Sequence, residues 1–258
     1  MNVTLIDPLK DYRAHCVSET LGLMYIAAAL REAGHGVRIV ATGLRPTADL
    51  SYEDIMDADL VGITATSALF GNAVSTLETI RQWRPDLPVV LGGAHATVST
   101  EHALRAGFDC AVLGEAERTI VELAENVDRG QLRETRGIAF LDETDTVHRT
   151  AEQPLVEDLD DLPFPARDLY DYDAFRAAGG WEFGMLSSRG CPFRCTFCQP
   201  TLNMIFGRMR KRGPMNVAQE MAQLQEHYNP PILYFKDDTL SANGLKWFAE
   251  FQQALDDL

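Results

Sequence analysis

Apolar residues in the first half of the chain fall into short continuous runs, separated by stretches with helical spacing. Residues 2–6 read as a first strand. Residues 18–33 read as a helix with Leu23, Ile26, Ala27 and Leu30 on one face, ended by Gly34 and Gly36. Strands are expected at 37–41, 60–65, 88–93 and 109–114, and the run at 60–65 is apolar enough to be buried on both faces. Helices are expected at 71–83, closed by Pro85, and at 117–127. This alternation predicts an α/β fold with a parallel, doubly wound, Rossmann-like sheet. Residues 136–150 read as a hairpin or an added strand, and 151–170 as an acidic, proline-rich linker. A second series follows: a strand at 183–188, a cysteine-rich loop, a helix at 214–228, a strand at 232–238 ending in two carboxylates, and a helix at 243–257. The expected organisation is a first domain over 1–135, hairpin and linker over 136–180, and a second unit over 181–258.

Composition narrows the function classes. The 258 residues are 46% hydrophobic and 24% charged, with a net charge of −15. Such acidity argues against nucleic acid or an anionic membrane as partner, because either needs a basic face. No run of 18 apolar residues and no secretory leader are apparent, so no membrane span or export is expected. Five cysteines, an odd number, do not suggest a disulfide framework, and a reducing, cytoplasmic setting is expected.

Three of those cysteines, Cys191, Cys195 and Cys198, lie within eight residues. Three thiolates at this spacing suit three irons of a cubane cluster and leave the fourth iron open. Zinc is the alternative, but it normally needs a second pair of ligands, and His227 stands alone. Between Ser187 and Pro214 there are six Arg or Lys and no Asp or Glu. They read either as a counterweight to an anionic cluster or substrate group, or as plain surface charge. Asp237 and Asp238 end a strand, where β/α barrels place functional groups; an N-cap role is the alternative.

The pattern Cys-x3-Cys-x-aromatic-Cys, met by Cys191, Cys195, Phe197 and Cys198, resembles the signature of radical S-adenosylmethionine (SAM) enzymes. That resemblance implies a [4Fe–4S] cluster on the three cysteines, SAM on the open iron, and the first part of a partial (β/α) barrel around them. It also implies that Phe197 packs near the adenine or the cluster, with Asp237 and Asp238 in the SAM region.

In the first domain, Thr64, Ser67 and Leu69 stand at the end of the third strand, while Gly92, Gly93 and His95 stand at the end of the fourth. Small hydroxyls and paired glycines at strand ends let a bulky ligand approach the backbone, although a Gly-Gly pair is also a common turn. With Gly114 and Glu115 after the fifth strand, these residues resemble the Ser-x-Leu and Gly-Gly motifs of cobalamin-binding domains. The Asp-x-His-x-x-Gly motif that gives cobalt a histidine is missing: Asp7 to Tyr12 occupy its place, and His15 has the wrong spacing.

Together the two halves are similar to cobalamin-dependent radical SAM proteins, a class with magnesium-protoporphyrin cyclases, hopanoid methylases and phosphinate methyltransferases. The resemblance implies methyl transfer from SAM, by way of cobalamin, to an unactivated carbon or phosphorus of a small-molecule substrate, with a reductant such as flavodoxin or ferredoxin. A radical cyclase or rearrangement enzyme, or a non-catalytic cobalamin- or iron–sulfur-binding protein, are the alternatives. Only 60 residues follow Cys198, enough for two of about six barrel units, so the chain is expected to be truncated at its C-terminus.

Overall fold

The computed structural model describes residues 1–8, 18–45, 47, 49–196, 198 and 206–258. Its first half is one seven-stranded sheet in the order β2-β1-β3-β4-β5-β6-β7. The strands are β1 (Asn2–Asp7), β2 (Gly36–Ala41), β3 (Leu60–Thr64), β4 (Val89–Gly92), β5 (Cys110–Val112), β6 (Ile138–Leu141) and β7 (Val147–Arg149). The first five pair in parallel; β6 and β7 add as an antiparallel hairpin. The expected doubly wound α/β sheet is therefore present, and the hairpin extends its edge.

Two-residue periodicity divides the side chains between two cores. Val3, Leu5 and Leu60 pack on one face with α1 (Leu21–Glu32) and α5 (Glu117–Asp128). Ile6, Val61 and Ile63 pack on the other with α2 (Phe70–Trp83) and residues of α4 (Thr100–Arg105), which follows the short α3 (Ala94–Val98). Strand β3 is buried from Leu60 to Ile63, as its unbroken apolar run requires.

The second half contributes α6 (Tyr172–Ala177), β8 (Glu182–Met185), β9 (Ser188–Arg189), β10 (Arg210–Lys211), α7 (Pro214–Tyr228), β11 (Ile232–Phe235) and α8 (Leu245–Asp256). Strands β8 and β11 pair in parallel around α7, a β/α unit of the kind expected. The strand expected at 183–188 is broken: β8 stops at Met185, and Ser188–Arg189 turn away to pair antiparallel with β10.

Helix α1 differs from its one-faced expectation. Leu23, Ala27 and Leu30 meet the sheet, while Leu21, Met24 and Tyr25 pack with Tyr170, Tyr172, Phe175 and Phe183 of the second half. An apolar surface nearly all round is what a helix between two layers needs. The acidic stretch at 151–170 is tied down along this seam: Val156, Leu159 and Arg167 are buried, and the Ala166 N–H donates to Met24 O at 3.0 Å. No described helix is long and apolar enough to cross a membrane.

Candidate functional site

A parallel sheet of order 2-1-3-4-5 opens a crevice at the carboxyl ends of its strands, where successive connections leave to opposite faces. In this chain the crevice is a cavity of about 980 Å³. Thr64, Ser67, Gly93, Ala94, Gly114, Glu115 and Ala116 form its sheet side, Thr20 to Leu23 at the start of α1 another, and Leu186, Arg189, Cys198, Phe206 and Lys236 the wall from the second half.

The sheet side is shaped by close backbone approach. Thr64 and Gly92 are register partners at the ends of β3 and β4. Gly93 then turns with φ of +87°, and a Cβ there would meet both Ala65 O and Thr64 Oγ1 at 2.9 Å. Only glycine takes this conformation freely. Beyond it, the His95 N–H donates to Ala65 O at 3.0 Å, so α3 starts against the end of β3. The Gly114 N–H donates to Thr97 Oγ1 at 3.0 Å, pinning the turn after β5 to α3.

Of the residues singled out in the sequence, Thr64, Ser67, Gly93, Gly114 and Glu115 line the cavity; Leu69, Gly92 and His95 do not. His95 lies behind the wall, 4% exposed, stacked on Phe70 with ring centroids 3.9 Å apart. Its Nδ1 is 3.0 Å from Ser67 Oγ, and its Nε2 has no hydrogen-bond partner among the described residues. Burial, and then the neighbouring His102, lower its pKa, so the ring is held neutral. His95 therefore touches the cavity only through the Ser67 hydroxyl.

Cys191, Cys195 and Cys198 lie on the loop between β9 and β10. Gly190 opens that loop with φ of +81°, and a Cβ there would stand 3.0 Å from Arg208 O, so the two stems run close. Cys191 is half-buried with its Sγ 3.1 Å from Thr239 Oγ1. Cys195 and Cys198 are exposed, and Cys198 also faces the cavity. Among the described residues, no three His, Cys, Asp or Glu side chains are gathered closely enough to hold a metal ion. The donor set fits an iron–sulfur cluster by its chemistry, and the loop would gather around it, as metal sites commonly form on binding. Phe197 lies outside the described residues.

The carboxylates after β11 take a role that neither sequence alternative named. Asp237 accepts from the Ser187 N–H at 3.1 Å, from Ser187 Oγ at 2.7 Å and from Ser188 Oγ at 2.5 Å. Its oxygens are occupied in fastening the segment that leads into the cysteine loop. Asp238 accepts from the Gly190 N–H; partial loss of water and the Asp237 charge raise its pKa against that bond.

The basic cluster divides evenly: Arg194, Arg208 and Lys211 are exposed, and the other three are internal. Arg189, Arg210 and Arg212 are buried and paired with Glu115, Glu117 and Glu220, while Arg208 pairs with Glu157. Sequence reasoning passed over Glu19 and Lys236. Both line the cavity; Lys236 Nζ donates to Ser18 Oγ at 2.5 Å, and burial lowers its pKa.

Comparison with known proteins agrees with this arrangement. The B12-binding domain family matches residues 14–124. An uncharacterised methyltransferase of Pyrococcus horikoshii is 36% identical over 235 residues, covering 86% of this chain and 49% of the relative. An anaerobic magnesium-protoporphyrin IX monomethyl ester cyclase of Rubrivivax gelatinosus is 27% identical over 245 residues, covering 90% of this chain and 43% of the relative. The fold matches that of TsrM, a radical SAM methyltransferase of Kitasatospora setae solved with cobalamin and a [4Fe–4S] cluster, with a TM-score of 0.77 at 19% identity. That match covers 99% of this chain and 50% of TsrM. The chain thus spans about half the length of the relatives it matches.

Proposed function

The match to the B12-binding domain family over residues 14–124 is the premise from which we propose that the chain is of the cobalamin-dependent radical SAM type and serves radical methyl transfer, holding cobalamin in the cavity and a [4Fe–4S] cluster on Cys191, Cys195 and Cys198. The observation that carries the reading is the shared cavity: its sheet side is glycine and small hydroxyl residues, and its opposite wall includes a cysteine of the triplet. Bound there, the cluster would supply an electron to cleave SAM, and the corrin a transferable methyl group.

The chain's own residues would bind and orient. Gly22, Gly93 and Gly114 leave backbone open to a large flat ligand, and Thr64 and Ser67 offer hydroxyls to its polar edge. Ser67 is aimed by His95. Asp237 and Asp238 hold the segment leading to Cys191, which places the first thiol near Thr239. Leu21, Leu23, Leu186 and Phe206 give the cavity apolar walls that exclude water. A small-molecule substrate and a one-electron donor such as flavodoxin or ferredoxin complete the reading. Likeness to the magnesium-protoporphyrin cyclase supports ring formation as a second reading.

Two binding experiments test it. Aquacobalamin titrated into the full chain should bind stoichiometrically, and Gly93→Val, which puts a branched side chain at a position with no room for a Cβ, should weaken binding at least tenfold. Anaerobic reconstitution should load iron that Cys191→Ala cannot hold. Absence of cobalamin binding, or full iron on Cys191→Ala, would sink the proposal.

A further inference from the structure

Both stems of the cysteine loop end on one carboxylate of the B12-binding domain. Arg210, on β10, donates to Glu115 through Nη1 at 2.9 Å and Nη2 at 2.5 Å, a two-pronged pair. Arg189, on β9, lies 3.4 Å from the same carboxylate and donates to Glu117 Oε1 at 2.5 Å. All four side chains are at most 7% exposed. Arg210 also donates to Val156 O at 2.6 Å, and Arg189 lies over the Tyr25 ring at 5.0 Å. Glu115 itself stands between Gly114 and Ala116 on the cavity wall.

We propose that Glu115 is a positioning residue that links the two cofactor sites, so that filling the cavity and gathering the cysteine loop favour each other. The inference rests on the function proposed above. A ligand against Gly114 and Ala116 restrains the turn that carries Glu115. Through Arg189 and Arg210, Glu115 restrains residues on both sides of the loop. A cluster gathering the loop restrains the same pair from the other end. Thermodynamic linkage makes the effect reciprocal. The buried location matters, because an exposed pair would be too weak and too screened to transmit it.

The test is aquacobalamin affinity of the full chain, measured anaerobically with and without the reconstituted cluster. In the wild type the cluster should tighten cobalamin binding by about fivefold or more. Arg210→Met leaves the cavity wall and all three cysteines in place; it should bind each cofactor alone but lower that ratio towards one. Arg210→Lys, which keeps the charge without the fork, should give an intermediate ratio and covers the case in which the methionine variant does not fold. A wild-type ratio of one, with both cofactors bound, would overturn the inference while leaving the proposed function standing. So would a wild-type ratio retained in folded Arg210→Lys and Arg210→Met. If the wild type binds no cobalamin or no iron, the function itself fails and this inference with it.

Discussion

His95 shows how a residue can serve a site without reaching it. The ring is buried against Phe70, and its Nδ1 engages Ser67 Oγ on the cavity wall. Burial, assisted by His102, lowers its pKa, so the folded chain holds it neutral. The linkage has a definite sign. Above the ordinary imidazole pKa of about 6.5, neither state binds the proton and the contribution to stability is complete. As pH falls below that value, the unfolded chain takes a proton that the folded ring refuses, and stability drops until the lowered folded value is reached. Urea unfolding from pH 7.5 to 5 should therefore show a steeper loss in the wild type than in His95→Gln. Equal slopes would contradict the assignment. The sequence marked His95 by its place after Gly92 and Gly93, but stacking on a phenylalanine 25 residues earlier leaves no sequence trace.

Among elements, legibility followed length and local signal. Helix α7 was expected at 214–228 and forms over Pro214–Tyr228, with proline in its first turn and Asn229 left-handed at its end. Helices α3 and α4 were missed because each is at most six residues long, and Ser99 divides them. Strand β9 was read as the tail of the strand expected at 183–188, and β10 was missed, because two residues carry no periodicity of their own and Arg210–Lys211 offers no apolar signal. Beside their pairing, Asp237 gathers Ser187 and Ser188. Replacing Asp237 with alanine removes an acceptor from donors in the partly buried segment, at a cost of about 1–3 kcal/mol. The cysteine loop should loosen with it: Cys191, half-buried in the wild type, should alkylate at a rate closer to that of exposed Cys195. An unchanged Cys191 rate in Asp237→Ala would show that the aspartate does not hold the loop.

At the scale of the whole molecule, buried charge joins the two halves. Arg167 donates to Glu19 before α1, to Tyr172 Oη, to Gly184 O in β8 and to Glu220 in α7. No spacing in the sequence announced this, since Glu19 and Arg167 are 148 positions apart. The sheet order was legible because each strand and helix is a local pattern; the seam was not, because its partners are set only once the layers meet. Arg167→Met would leave Glu19 buried without its counter-charge and Glu220 with Arg212 alone, destabilising the chain by about 3–5 kcal/mol. Urea unfolding followed by far-ultraviolet circular dichroism should show this as a shift of one transition covering both halves. A loss below about 1 kcal/mol would place the stability of the seam in its apolar contacts instead.

The two-sided burial of α1 also has a consequence in time. A ribosome delivers the seven strands of the first sheet by Arg149, but Phe183, Leu224 and the rest of the layer that covers Leu21, Met24 and Tyr25 arrive up to Tyr228. At roughly 5–20 residues per second, that interval lasts about 4–16 s. Throughout it, a finished sheet carries an uncovered greasy helix face with a lone carboxylate, Glu19, beside it. The nascent chain is then at its most vulnerable to clumping, and chaperone demand during synthesis should fall only after Tyr228, beyond the cysteine loop, has left the exit tunnel.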